Sequence, residues 1–95
     1  METKFVIVCY DIPDTKVRNR LIHLLFACGF SRIQYSVFSG MIPTLRLSRI
    51  MEYIQDNFAG DENRILIMPL CRTCISQLNC VNMTFTTEAR SYFVV

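Results

Sequence analysis

Three sets of side chains have the types and spacing to do chemistry. The first is Tyr10-Asp11, which ends the apolar run Phe5-Val6-Ile7-Val8 and precedes Pro13, Lys16, Arg18 and Arg20. A carboxylate fixed at a strand end can share a magnesium ion with waters, a second carboxylate and substrate phosphates. Arginines beside it fork onto phosphate oxygens. The same Asp can equally be a helix cap or turn former. Arg18 and Arg20 lie two residues apart, about 200° around a helix, so they cannot both face one small site. Asp14 is near in sequence, but a symmetric dimer would also supply a second carboxylate by bringing two copies of Asp11 together. Phosphoryl chemistry is then the natural class.

The second set is Cys71-Arg72-Thr73-Cys74 with Cys80. Structural zinc wants four ligands, commonly two close pairs. Here one close pair, one further cysteine and the distant His23 fall short of that. A redox pair is disfavoured as well, because the CxxC is not expected to open a helix after a strand in a thioredoxin-like way. Free thiols, buried or partly buried, are the expectation. The third set is empty of pairs. His23 is the only histidine, and it falls on the polar side of a helix beside Lys16 and Arg20, so no nucleophile–base couple forms. Three scattered glycines make no phosphate cradle.

Ninety-five residues, 52% of them hydrophobic, make one domain with a modest core, a size at which dimerisation often completes burial. The net charge of +2 says little, although eight of the ten cations are Arg. Solvated surface charge explains these until a motif intervenes. The first ten residues lack a signal peptide's charged head and cleavage site, and no apolar stretch is long enough to span a bilayer. A cytoplasmic, reducing location with no membrane association is expected.

The elements that must position these groups follow from periodicity. Phe5–Val8 predicts a central strand. Val17, Leu21, Leu24, Leu25 and Cys28 predict a helix over Lys16–Cys28, capped by Asp14 or Thr15 and stopped by Gly29. Residues 30–41 predict extended chain, with a possible sharp bend near Gln34–Ser36. Ile33, Tyr35 and Val37 fall on a core face; Arg32, Gln34, Ser36 and Phe38 fall on a face that the chain's own helices leave uncovered. Pro43 opens a second helix with Leu47, Ile50, Met51, Ile54 and Phe58 buried, ended by Gly60. Arg64–Leu70 predicts another central strand whose last residues leave the ladder at Pro69. A turn or helical piece follows over Cys71–Asn79, then a strand over Val81–Thr86, and an apolar tail, Tyr92–Val95, suited to a sheet edge. The pattern is α+β, a ferredoxin-like βαββαβ domain over residues 1–80 with an extra C-terminal strand and tail over 81–95. Its antiparallel sheet carries helices on one face and is open on the other.

Tyr10-Asp11-Ile12, Arg18-Asn19-Arg20, Gly29 and Arg32-Ile33-Gln34-Tyr35-Ser36-Val37-Phe38 together closely resemble the small CRISPR-associated protein 2 family over roughly residues 4–70. The resemblance implies a homodimer through the open sheet face, with the tail strand on the partner's sheet. Arg32, Gln34, Ser36 and Phe38 would then lie in or near the dimer cleft. Asp11 matches the family's metal-binding Asp, with magnesium as cofactor. Tyr10, Arg18, Arg20, Arg32 and Phe38 match positions associated with nuclease activity on single-stranded RNA or double-stranded DNA, and Lys16, Arg18, Arg20 and Arg32 are the expected nucleic-acid contacts. The family also bridges the CRISPR integrase during spacer acquisition, which needs phosphate contacts without base readout. A VapD-type toxin ribonuclease shares the fold, and a purely non-catalytic scaffold keeps the same binding residues. A regulatory module for a small ligand would leave the Tyr-Asp-Ile turn and the arginines unexplained.

Overall fold

The strand that ends in Asp11 is the middle of the molecule. In the computed structural model, which describes residues 2–83, β1 (Thr3–Asp11) pairs antiparallel with β3 (Val37–Pro43) on one side and β4 (Arg64–Leu70) on the other. A short β2 (Ser31–Gln34) pairs with β3, and the sheet order is β2-β3-β1-β4. With α1 (Thr15–Ala27) and α2 (Thr44–Asn57) between the strands, this is the expected ferredoxin-like βαββαβ arrangement. No helix among the described residues is long and apolar enough to cross a membrane.

Local chemistry sets the element ends. The Asp14 carboxylate accepts from the Val17 N–H at 3.0 Å and caps α1. Gly29, at φ +96°, ends that helix while the Phe30 N–H reaches back to the Leu25 carbonyl at 3.0 Å. Val6, Val8 and Tyr10 alternate toward α1 and α2 and join Leu21, Leu25, Phe30, Ile42, Leu47, Ile50, Ile54 and Phe58 in the main core. Phe5 and Ile7 point the other way.

Several expectations change. The extended stretch does bend, at Tyr35-Ser36, with a register irregularity between Arg32 and Gln34. Phe38 stays on the side of Arg32, opposite both Arg32 and Val8, but that side is the one the helices cover, not the uncovered face. It is fully buried in the main core beneath the helices, whereas Tyr35, expected inside, is 84% exposed. Strand β4 is an edge of the described sheet, not a central strand, and Pro69 stays in register opposite Val6. An edge is where a strand proline is tolerated, since it has no N–H to lose. The face away from α1 and α2 is partly covered, because Ile75 and Leu78 pack over Phe5 and Ile7. Ile75 belongs to α3 (Arg72–Ser76), whose N-cap is Cys71, directly after β4. The CxxC thus does open a helix after a strand, contrary to expectation. Residues 81–83 are bend and coil instead of strand. The remainder of that strand and the tail lie outside the described residues.

Candidate functional site

Consecutive residues on a strand face opposite ways, and this separates Tyr10 from Asp11. Tyr10 is buried; its ring lies 6.1 Å from that of Phe38, and its hydroxyl donates to the Tyr35 carbonyl at 3.2 Å. Its N–H donates to the Ser36 carbonyl at 3.1 Å. Tyr10 thereby ties the end of β1 to the β2–β3 turn. Asp11 is exposed on the other face, at the last position of β1. It stands opposite Arg64 in the ladder, but its carboxylate forms no ion pair or hydrogen bond with a described residue. A shallow depression of about 310 Å³ surrounds it, lined by Cys9, Tyr10, Arg64, Ile65 and Leu66.

The arginines divide as their spacing requires. Arg18 turns back on the β1–α1 connection, donating from Nη1 to the Ile12 carbonyl at 2.9 Å and from Nη2 to Thr15 Oγ1 at 3.1 Å. It braces the segment that carries Asp11. Arg20 lies over the Phe58 ring at 5.1 Å. With Lys16, Asn19, His23, Leu24 and Tyr53 it lines a groove of about 570 Å³ between α1 and α2. Arg32 stacks over Phe38 at 5.2 Å and over Tyr35 at 5.8 Å, and Phe26 meets Phe38 edge-on at 5.2 Å.

The expected site residues are therefore in four places, Arg18 being the one folded back on the β1–α1 connection. Asp11 stands on one sheet face, Tyr10, Phe38 and Arg32 form a stack on the other, and Lys16 and Arg20 border the helix groove. Arg64, Tyr53 and Phe58 were not among the expected site residues. Only strand pairing reveals Arg64 beside Asp11, since the two are far apart in sequence.

A hard cation prefers carboxylate oxygens, and the unpartnered Asp11 carboxylate fits that need. One is not enough. Asp14 is engaged as a helix cap, and no group of three or more His, Cys, Asp or Glu gathers among the described residues.

Fold and site define a small ferredoxin-like domain that presents one carboxylate at the end of its central strand and single arginines at separate places around it. The chain belongs to the CRISPR associated protein Cas2 family, whose sequence model matches residues 4–78. It is 34% identical to CRISPR-associated endoribonuclease Cas2 1 of Methanospirillum hungatei over 95 residues, all of both chains. A second protein of that description, from Archaeoglobus fulgidus, is 33% identical over 78 residues, covering 82% of this chain and 83% of the relative. A crystal structure of Cas2 superposes with a TM-score of 0.64 at 25% identity, over 73% of this chain and 76% of that one. A chain of a partial Cas6-RT-Cas1–Cas2 complex superposes with a TM-score of 0.66 at 30% identity, over 83% and 91%.

Proposed function

We propose that this chain acts in CRISPR spacer acquisition as a symmetric homodimer that holds duplex nucleic acid and bridges the integrase. We further propose that two Asp11 carboxylates, one from each copy, give it a magnesium-dependent endonuclease activity on single-stranded RNA or double-stranded DNA. The observation that carries this reading is the exposed, unpartnered carboxylate of Asp11 at the end of the central strand. Around it Cys9, Val37 and Leu66 share the face that α1 and α2 leave open, and Leu66 is 55% exposed. A second copy seated there would cover that apolar rim and supply the second carboxylate. The nuclease description of the relatives and the assembly of a similar chain with Cas1 support the reading.

Magnesium, when bound, would polarise a phosphoryl oxygen and acidify a bound water. The chain's own part is to orient and to hold. Arg18 and Tyr10 fix both sides of the strand end by hydrogen bonds to neighbouring carbonyls. Lys16 and Arg20, exposed at the helix groove, are free to meet backbone phosphates without reading bases.

The test is the Asp11→Ala protein, assayed on single-stranded RNA and duplex DNA with magnesium, alongside light scattering and integrase pull-down. Cleavage should disappear while the dimer, the pull-down and spacer acquisition persist. Undiminished cleavage would remove Asp11 from the metal site. Loss of every property would make it a structural residue. Binding should weaken steeply with added salt, as phosphate contact demands.

A further inference from the structure

The nucleic-acid reading leaves the CxxC segment unused. Cys71 is the N-cap of α3, and its sulfur accepts from the Cys74 N–H at 3.5 Å. The two sulfurs lie 3.4 Å apart, and both residues are exposed. A thiol pair already in contact has to close only a short gap to reach a disulfide bond of about 2.05 Å. The other cysteines differ: Cys9, Cys28 and Cys80 are half-buried.

We propose that Cys71 and Cys74 form a reversible dithiol–disulfide site that reacts with low-molecular-weight disulfides by thiol–disulfide exchange. The Cys71 thiolate attacks one sulfur of the small disulfide, forming a mixed disulfide and releasing one small thiolate. The Cys74 thiolate then attacks the Cys71 sulfur, closes the intrachain bond and releases the second. The protein loses two electrons and two protons, and one small disulfide becomes two small thiols. A reducing dithiol reverses the sequence.

The order of attack follows from the local bonding. The N–H and thiol of Cys74 stabilise the Cys71 thiolate and hold its pKa below the ordinary thiol value. Cys74 is pushed up by its hydrogen bond to Cys71 and by the Cys71 charge. Burial pushes the Cys28 thiol up, which keeps it out of competition. The site also touches the sheet. Cys71 follows Leu70, and the helix it caps carries Ile75; both pack with Phe5 and Ile7 on the face that holds Asp11. The disulfide would thus pin the first turn of the element that covers this face.

Arg72 lies between the two cysteines, so trypsin cuts the chain there and only a disulfide keeps the fragments together. The full-length protein is incubated with oxidised glutathione, alkylated and digested, with Cys80→Ser included to remove the one other cysteine in the downstream peptide. The expected result is that the 65–72 and 73–90 peptides remain joined in Cys80→Ser, with a mass loss of two hydrogens that dithiothreitol restores. Cys71→Ser and Cys74→Ser should each give separate peptides, and Cys74→Ser should trap glutathione on Cys71 faster than Cys71→Ser traps it on Cys74. Separate peptides in Cys80→Ser, or a stable glutathione adduct on Cys71 with Cys74 present, would overturn the proposal. Nuclease activity is not a readout here, so the result stands apart from the fate of Asp11.

Discussion

Tyr10 and Asp11 are joined by one peptide bond and belong to two different parts of the molecule. The Tyr10 side of β1 is sealed by two helices, and its polar groups are spent on internal hydrogen bonds. The Asp11 side is only partly covered, and its terminal carboxylate has no partner among the described residues. Strand alternation alone makes this division, and it teaches that neighbouring motif residues need not share a task. Tyr10 holds the backbone in place; Asp11 is left free to bind.

The sharpest way to test the division is to damage each side separately. Phe38→Ala removes a fully buried ring from the sealed side and should cost about 3–5 kcal/mol, seen as a large fall in the urea midpoint with folding-dependent loss of everything else. Asp11→Asn should leave the unfolding free energy within about 0.5 kcal/mol of the parent. Cleavage under magnesium should nevertheless fall at least about 100-fold, equivalent to about 2.7 kcal/mol in the barrier. Tyr10→Phe deletes the bond to the Tyr35 carbonyl and should cost about 0.5–1.5 kcal/mol of stability. Cleavage at saturating magnesium should barely change in that variant. An Asp11-sized loss of cleavage in Tyr10→Phe would break the comparison and make the two faces one site. Arg20→Ala loses a stacked guanidinium worth about 0.5–1 kcal/mol. It should also lower the salt slope of nucleic-acid binding by about 1.

Much of the fold was legible because its signals are local. Asp14 and Gly29 bracket α1 by capping chemistry that needs no tertiary information, and the apolar spacing of α2 marked the face that buries Leu47, Ile50 and Ile54. The misplacement of Phe38 has an equally specific cause. Period-two counting kept Phe38 on the side of Arg32, as their pairing does, but the polar Arg32, Gln34 and Ser36 made that side read as uncovered, whereas Phe38 also pairs with the helix-facing Val8. Strand β4 looked central because it is apolar throughout, yet Leu66 is left on an exposed edge position. In the site, Asp11 and the divergence of Arg18 from Arg20 came from residue type and helical geometry. The Arg64 neighbour and the Phe58 stack under Arg20 are products of strand order and packing, which no spacing rule encodes; the contact between Cys71 and Cys74 is local and follows once a helix starts at Arg72.

The central position of β1 also has a consequence for the order of synthesis. Asp11 is made before its neighbour: the strand that flanks it through Arg64 comes about fifty residues later. At about 5–20 residues per second that is an interval of about 3–10 s. During it β1 can pair with β3 but keeps one unpaired edge, which a passing strand can occupy. Emergence of β4 covers that edge of β1 and, in the same step, builds the rim around Asp11.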